Sequence, residues 1–196
     1  MSKQYCSKAD ERIRCMARLV GVDYSKKTVN NVKRFLEIYC SIKTSLNLVP
    51  VPISSNILRD EAPELFQAMI SSKEIPDDLI EHFIIALVKT GNMENMIGQA
   101  LDKVRAFDKD DNVYEIILRK MYFDEEISTN YEVEKACYIS HGTYYKKREQ
   151  AIMLFAISFW SLMISEWKNP EIGMKELEDK HGRDNGLSDG LNPPGE

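Results

Sequence analysis

Apolar residues recur at three-and-four spacing along most of this chain, and nowhere do they alternate with period two for long enough to build a strand. A short first helix is implied over 12–20, stopped by Gly21. A second starts near Thr28 as N-cap, and its stripe is Val29, Val32, Phe35, Leu36, Tyr39, Ile42 and Leu46. Lys33, Arg34 and Lys43 fall off that stripe and are expected in solvent. Val49-Pro50-Val51-Pro52 must then be extended, because two prolines in three positions cannot continue a helix. Three more helices follow, over 57–71, 76–90 and 93–107. Pro63 restarts the first of these as a first-turn proline, and Asp77 and Asp78 open the second at the positive end of its dipole. A charged turn, Asp108 to Asp111, leads to another apolar-faced helix over 113–123, which Asp124-Glu125-Glu126 breaks. Ser128 or Thr129 caps a short helix through Ala136. Cys137-Tyr138-Ile139 forms a turn, and Ser140 caps a long helix to about Trp167.

The expected class is all-α: a helical bundle with a C-terminal helix-turn-helix and a disordered acidic tail. Four segments follow from the pattern, namely 1–48, 49–110, 111–168 and 169–196. The last holds Gly173, Gly182, Gly186, Gly190 and Pro193-Pro194-Gly195, with few apolar residues, so it cannot bury enough surface to offset its ordering entropy.

Charge changes this picture by its distribution. The chain carries a net −5, which on its face argues against a nucleic-acid partner. Residues 1–48, however, hold ten basic and four acidic residues, a net +6, while 49–168 hold thirteen and twenty, a net −7. The tail from 169 holds three and seven, a net −4. Local field rather than total charge decides whether phosphates are attracted. The longest uncharged apolar run, 151–165, is too short to span a bilayer, and the N-terminus has no apolar signal core, so a cytoplasmic address is expected. Cys6, Cys15, Cys40 and Cys137 form no CxxC pair, and His82, His141 and His181 are scattered, so no metal site or cofactor is expected. No phosphate-cradling glycine loop or nucleophile motif stands in the sequence, and the expectation is a protein that is not an enzyme.

The informative stretch is 112–156. Val133, Cys137, Ile139 and Tyr144 occupy the intervals at which a helix-turn-helix needs core contacts. The second helix would then present its N-terminal turn to a major groove, with free backbone N–H groups and the positive dipole end toward phosphate. On that turn Ser140, His141, Gly142, Tyr145 and Lys146 face outward, with Thr143 beside them. Each hydroxyl, imidazole or ammonium can reach a base edge or a phosphate, and Gly142 permits close backbone approach. Lys147 and Arg148 complete the candidate DNA-binding set as phosphate grips, with Lys147 alternatively lying along the core and its head in water.

These residues resemble a known family. Tyr114-Glu115-Ile116-Ile117 with Tyr122-Phe123, then Ile139-Ser140, Thr143-Tyr144-Tyr145, Ala151 and Phe155-Ala156, are similar to the ArpU and RinA type regulators of phages and prophages. The likeness runs upstream through Ile97, Ala100-Leu101-Asp102-Lys103 and Phe107, and touches Asn31-Val32-Lys33-Arg34-Phe35-Leu36 with Tyr39. It covers about half the chain. The resemblance implies a domain like region four of sigma factors, and a role as transcriptional activator of phage late operons. Its implied partners are double-stranded DNA and host RNA polymerase. Two positions depart from the family pattern: Glu134 stands where the family tends to have Ala, and Tyr138 where it favours Gly in the turn. A non-glycine residue in a left-handed turn costs about 1 kcal/mol, so a reshaped turn is one expectation. Residues 49–92 resemble nothing in that family.

The run Met153, Phe155, Phe159, Trp160, Met163 and Trp167 is apolar on nearly every face and demands burial all round, inside the fold or in a subunit interface. The pattern favours a homodimer interface. Two other readings stand beside the regulator: a terminase small subunit that recognises packaging DNA, and a helical interaction protein whose helix-turn-helix is structural only.

Overall fold

The computed structural model describes residues 7–46, 66–71, 73–89, 92–108 and 111–168. Among these residues the secondary structure is helical throughout, with no strand. The expected linker at Val49–Pro52, the restart at Pro63 and the tail beyond residue 168 lie outside the described residues. The chain divides into two compact units after Leu162, and the described portion of the second is the last turns of the final helix.

Helix α1, Lys8–Val20, begins one turn earlier than its apolar pattern implies. Ser7 and Asp10 form a reciprocal capping box, which satisfies two orphan donors ahead of the first apolar residue. Gly21 ends the helix at φ 75°, a left-handed value that glycine adopts without steric cost. Ile13 and Ala17 are the buried positions of α1.

Helix α2, Lys26–Leu46, is capped by Ser25 rather than Thr28, since the Ser25 hydroxyl accepts from the Thr28 backbone N–H at 3.2 Å. Thr28 itself is fully buried and donates to the Ile70 carbonyl at 3.5 Å. One turn on, the Asn31 amide donates to the carbonyls of Met69 (3.1 Å) and Lys73 (2.7 Å). These bonds satisfy carbonyls at and beyond the end of the helical turn over 66–70 and fix it across α2. Val32, Phe35, Leu36 and Tyr39 are buried as their spacing implies. Lys33 pairs with Glu37 at 3.4 Å and Arg34 pairs with Asp77, both in partial contact with water. Asp77 and Asp78 open α3, Asp77–Lys89, and α4 is Met93–Phe107.

The expected single helix over 113–123 is two pieces. α5, Val113–Leu118, runs into a π-helical turn, Arg119–Phe123, whose wider turn is closed by the Asp124 N–H bonded to the Arg119 carbonyl five residues back at 2.8 Å. Glu115 is buried on α5 and receives Arg119 at 2.7 Å and Arg105 of α4 at 2.6 Å. Chiefly through the Arg105 bond, the two guanidiniums hold its carboxyl below the usual range, against the opposing pull of burial. Helix α6 is Asn130–Ala136 and α7 is His141–Lys168.

α7 is the central post. Every residue from Ala151 to Trp160 is buried within this one chain. Phe159 packs near Phe35 (5.9 Å between ring centroids) and Phe66 (5.4 Å), while Trp160 stacks on Phe66 at 5.5 Å and donates its indole N–H to the Val20 carbonyl at 2.9 Å. Phe155 bridges Phe159 and Phe123. The apolar run read as a homodimer surface is therefore core from Ile152 to Trp160: α1, α2 and the 66–70 turn cover the faces that a second copy would need. The Trp167 side chain lies outside the described residues.

Truncating Trp160 to Ala should accordingly destabilise the isolated chain by about 3–5 kcal/mol, as expected for an aromatic lost from a packed core. Denaturant titration measures that loss, and sedimentation should give the same mass for both proteins. A halved mass at unchanged stability would return the stripe to an interface.

Candidate nucleic-acid interface

The first helix of the helix-turn-helix is set by Thr129. Its hydroxyl accepts from the Glu132 N–H at 3.3 Å, and the Glu132 carboxylate accepts from the Thr129 N–H at 2.7 Å. Of the two candidate caps, Thr129 is the one used. Val133 is fully buried and Cys137 nearly so, while Ile139 is half-buried. The chain reverses at Tyr138, which sits at φ 52° with its side chain 96% exposed. The Tyr138 and Ile139 N–H groups bond back to the carbonyls of Lys135 (3.3 Å) and Glu134 (3.2 Å). The turn thus keeps the left-handed geometry that glycine would favour, with a tyrosine in its place. It is not reshaped.

Ser140 caps α7 through the Thr143 N–H at 3.4 Å, and the two hydroxyls lie 2.9 Å apart. Tyr144 locks the corner: it is fully buried, and its hydroxyl donates to the Asn130 side-chain oxygen at 2.8 Å, on the first turn of α6. Burial pushes that phenol up to about 12, so it remains a donor at any working pH. Ser140, His141, Gly142, Thr143, Tyr145 and Lys146 are all exposed, as the sequence implies.

The remaining two candidates behave differently. Lys147 is half-buried, with its ammonium 4.2 Å from the centroid of the Tyr114 ring. Arg148 turns inward, where it donates to the Tyr122 hydroxyl at 2.9 Å, and its Nε is buried with no partner among the described residues. The expectation that Arg148 projects outward like Lys146 fails for a geometric reason. A residue four positions after Tyr144 shares its face, and that face is the core.

Neighbours unseen in the sequence shape the rest of the turn. His141 meets Glu134 at 2.7 Å and packs its ring edge on Tyr145, so Glu134 orients a candidate base reader. Lys146 pairs with Asp10 of α1 at 3.1 Å. Asp10 also accepts from the Gln150 amide at 2.6 Å, from the Tyr24 hydroxyl at 3.3 Å and from Ser7. Gln150 in turn accepts from the buried Tyr114 hydroxyl at 2.9 Å. The pattern Ser7-x-x-Asp10 signals a cap in the sequence, but nothing local in it points across 136 positions to Lys146. Among the described residues no group of three His, Cys, Asp or Glu side chains is placed to hold a metal ion, and no helix is long and apolar enough to cross a membrane. No protein-family model, curated protein or solved structure matches this chain.

Two measurable consequences follow from these contacts. Burial raises the Asp10 carboxyl, but its bonds from Gln150, Lys146 and Ser7 outweigh that and bring it from 3.8 to about 2. A depressed carboxylate stabilises the fold above its unfolded pKa, and the effect is lost as pH falls through the folded value. Wild type should therefore lose about 2 kcal/mol more than Asp10→Asn in urea titrations taken from pH 4 down to pH 2. Equal losses would show that the carboxylate is not held by these partners. Tyr138→Gly, at a left-handed position where the ring packs on nothing, should raise stability by about 1 kcal/mol or somewhat less. A fall in melting temperature would mean that the ring has a role in the free fold.

Proposed function

We propose that this chain is a sequence-specific DNA-binding transcriptional regulator that reads the major groove with the N-terminal turn of α7. One observation carries the reading. Tyr144 is fully buried and bonded to Asn130, while Ser140, His141, Gly142, Thr143, Tyr145 and Lys146 around it are all exposed. A turn fixed from behind and open in front suits a groove that admits a helix. The exposed groups supply hydroxyl, imidazole and ammonium chemistry, and the free N–H groups and dipole of the helix end favour phosphate. Gly142 fits the same reading, because a Cβ there would meet nothing within 4 Å, so packing within the chain does not demand glycine. On the family resemblance, the regulator activates late genes of a phage or prophage in the bacterial cytoplasm beside host RNA polymerase. It acts by binding, without catalysis.

The test uses duplexes enriched from a random pool by the wild-type protein, with fluorescence anisotropy at several salt concentrations. Gly142→Leu should stay folded by circular dichroism yet bind at least about tenfold more weakly, the scale of one lost base contact. Lys146→Ala should lower the salt slope by roughly 0.9, one phosphate contact. His141→Ala should relax preference at one base more than it weakens binding overall. If the folded Gly142 and Lys146 variants bind like wild type with the same slope, α7 is not the recognition helix.

A further inference from the structure

A cleft of about 660 Å³ opens between the first turns of α7 and the corner where α1 leads into α2. Arg14, Lys26 and Lys146 line it, together with Tyr145 and the carboxylates of Asp10 and Glu149. Asp10 is already engaged by Lys146 and Gln150 at its inner edge. The Arg14 guanidinium lies on the Tyr24 ring at 4.3 Å, a contact that holds it in place. Lys26 is exposed in the first turn of α2, where no acidic residue stands, and Lys27 is exposed beside it. The cations and the helix dipole therefore act in the same direction at that corner. This is also where the sequence concentrates its positive charge, the net +6 of residues 1–48.

We propose that this cleft takes the phosphate backbone of the same duplex whose groove α7 reads, an inference that rests on the DNA-binding reading above. Continuity favours a duplex over an acidic protein. Tyr145 and Lys146 belong both to the recognition turn and to the cleft wall, so a ligand on the turn extends over Arg14 and Lys26. The α1–α2 corner then supplies sequence-independent grip, while Ser140 to Lys146 supply discrimination. Lys146 is shared, and a phosphate in the cleft competes with Asp10 for it.

The experiment measures anisotropy of a fluorescein-labelled duplex, about 30 base pairs long and of a sequence enriched from a random pool by the wild-type protein, against the full chain at salt concentrations between about 50 and 200 mM. Removing two phosphate contacts with Arg14→Gln plus Lys26→Gln should lower the salt slope by about 1.8, so affinity falls about twelvefold less than wild type across that range. Lys26→Glu guards against a folding artefact. A carboxylate in the first turn of a helix favours the helix, so its melting temperature should hold or rise while duplex binding weakens. Asp10→Asn should bind more tightly, since it removes the competing charge. Gly142→Leu is the control on the recognition turn. Loss of binding in both the cleft variants and Gly142→Leu supports the proposal. Loss in Gly142→Leu alone overturns the cleft and leaves the recognition helix standing. Loss in the cleft variants alone, or no duplex binding by wild type, overturns both.

Discussion

From Ala151 to Trp160 every residue of α7 is buried, and the same unbroken helix carries Ser140 to Lys146 into solvent. The placement of the proposed recognition turn is thus inherited from the core. From Phe155, among the aromatic rings, to Gly142 is about 20 Å at the rise of an α-helix. A tilt of ten degrees in the core would therefore move the turn by roughly 3 Å, several times what a positioned contact tolerates. The core alone does not hold the far end to that precision. A long lever needs ties near its tip.

Those ties are polar and lie within the two turns, 144–150, over which α7 passes from exposed to buried. Tyr144 reaches Asn130 on α6, and Gln150 joins Tyr114 of α5 to Asp10 of α1, using its carbonyl to accept and its amide to donate. Each group is satisfied where it is buried, so the network costs little desolvation and permits one geometry. Glu115 ties the helices behind them in the same way, where Arg105 joins α4 to α5 and Arg119 anchors the start of the π-helical turn. Apolar packing would tolerate small rotations of α7. These bonds would not.

The architecture was legible wherever a local rule had no tertiary competitor. Three-and-four spacing located α2 and its buried face, and hydroxyl residues ahead of apolar runs located α6 and α7, as Thr129 and Ser140 bear out. Thr28 satisfied the same capping rule but lost to Ser25, because its hydroxyl is drawn to the Ile70 carbonyl, a partner no local window contains. The start of α1 was missed because its first turn is polar, although the Ser7–Asp10 box was there to be read. The basic run Lys146-Lys147-Arg148 looked like one feature and is three, since successive helical residues point about 100° apart. One pairs with Asp10, one rests on Tyr114, and one enters the core. An all-apolar segment announces burial without naming what covers it, which is why 152–160 read as an interface.

Carboxylates crowd the exposed turn: Asp10 on Lys146, Glu134 on His141, and Glu149 one turn beyond Tyr145. In a DNA reader each of them lowers the local attraction for phosphate. Their positions give them a different use. Asp10 and Glu134 each hold a candidate recognition side chain in a defined orientation, which reduces the rotamer entropy lost when that side chain meets a partner. They also penalise contacts that are only electrostatic, because a bare phosphate must displace a carboxylate already in place. A base edge that hydrogen-bonds to His141 or Tyr145 adds interaction that such a contact lacks. On the proposed DNA-binding reading, non-specific affinity would thereby be reduced more than specific affinity, and the ratio between them governs site selection on a genome. An acidic chain with a small basic corner is consistent with the proposed division, in which the corner would hold the backbone and the compensated turn would discriminate.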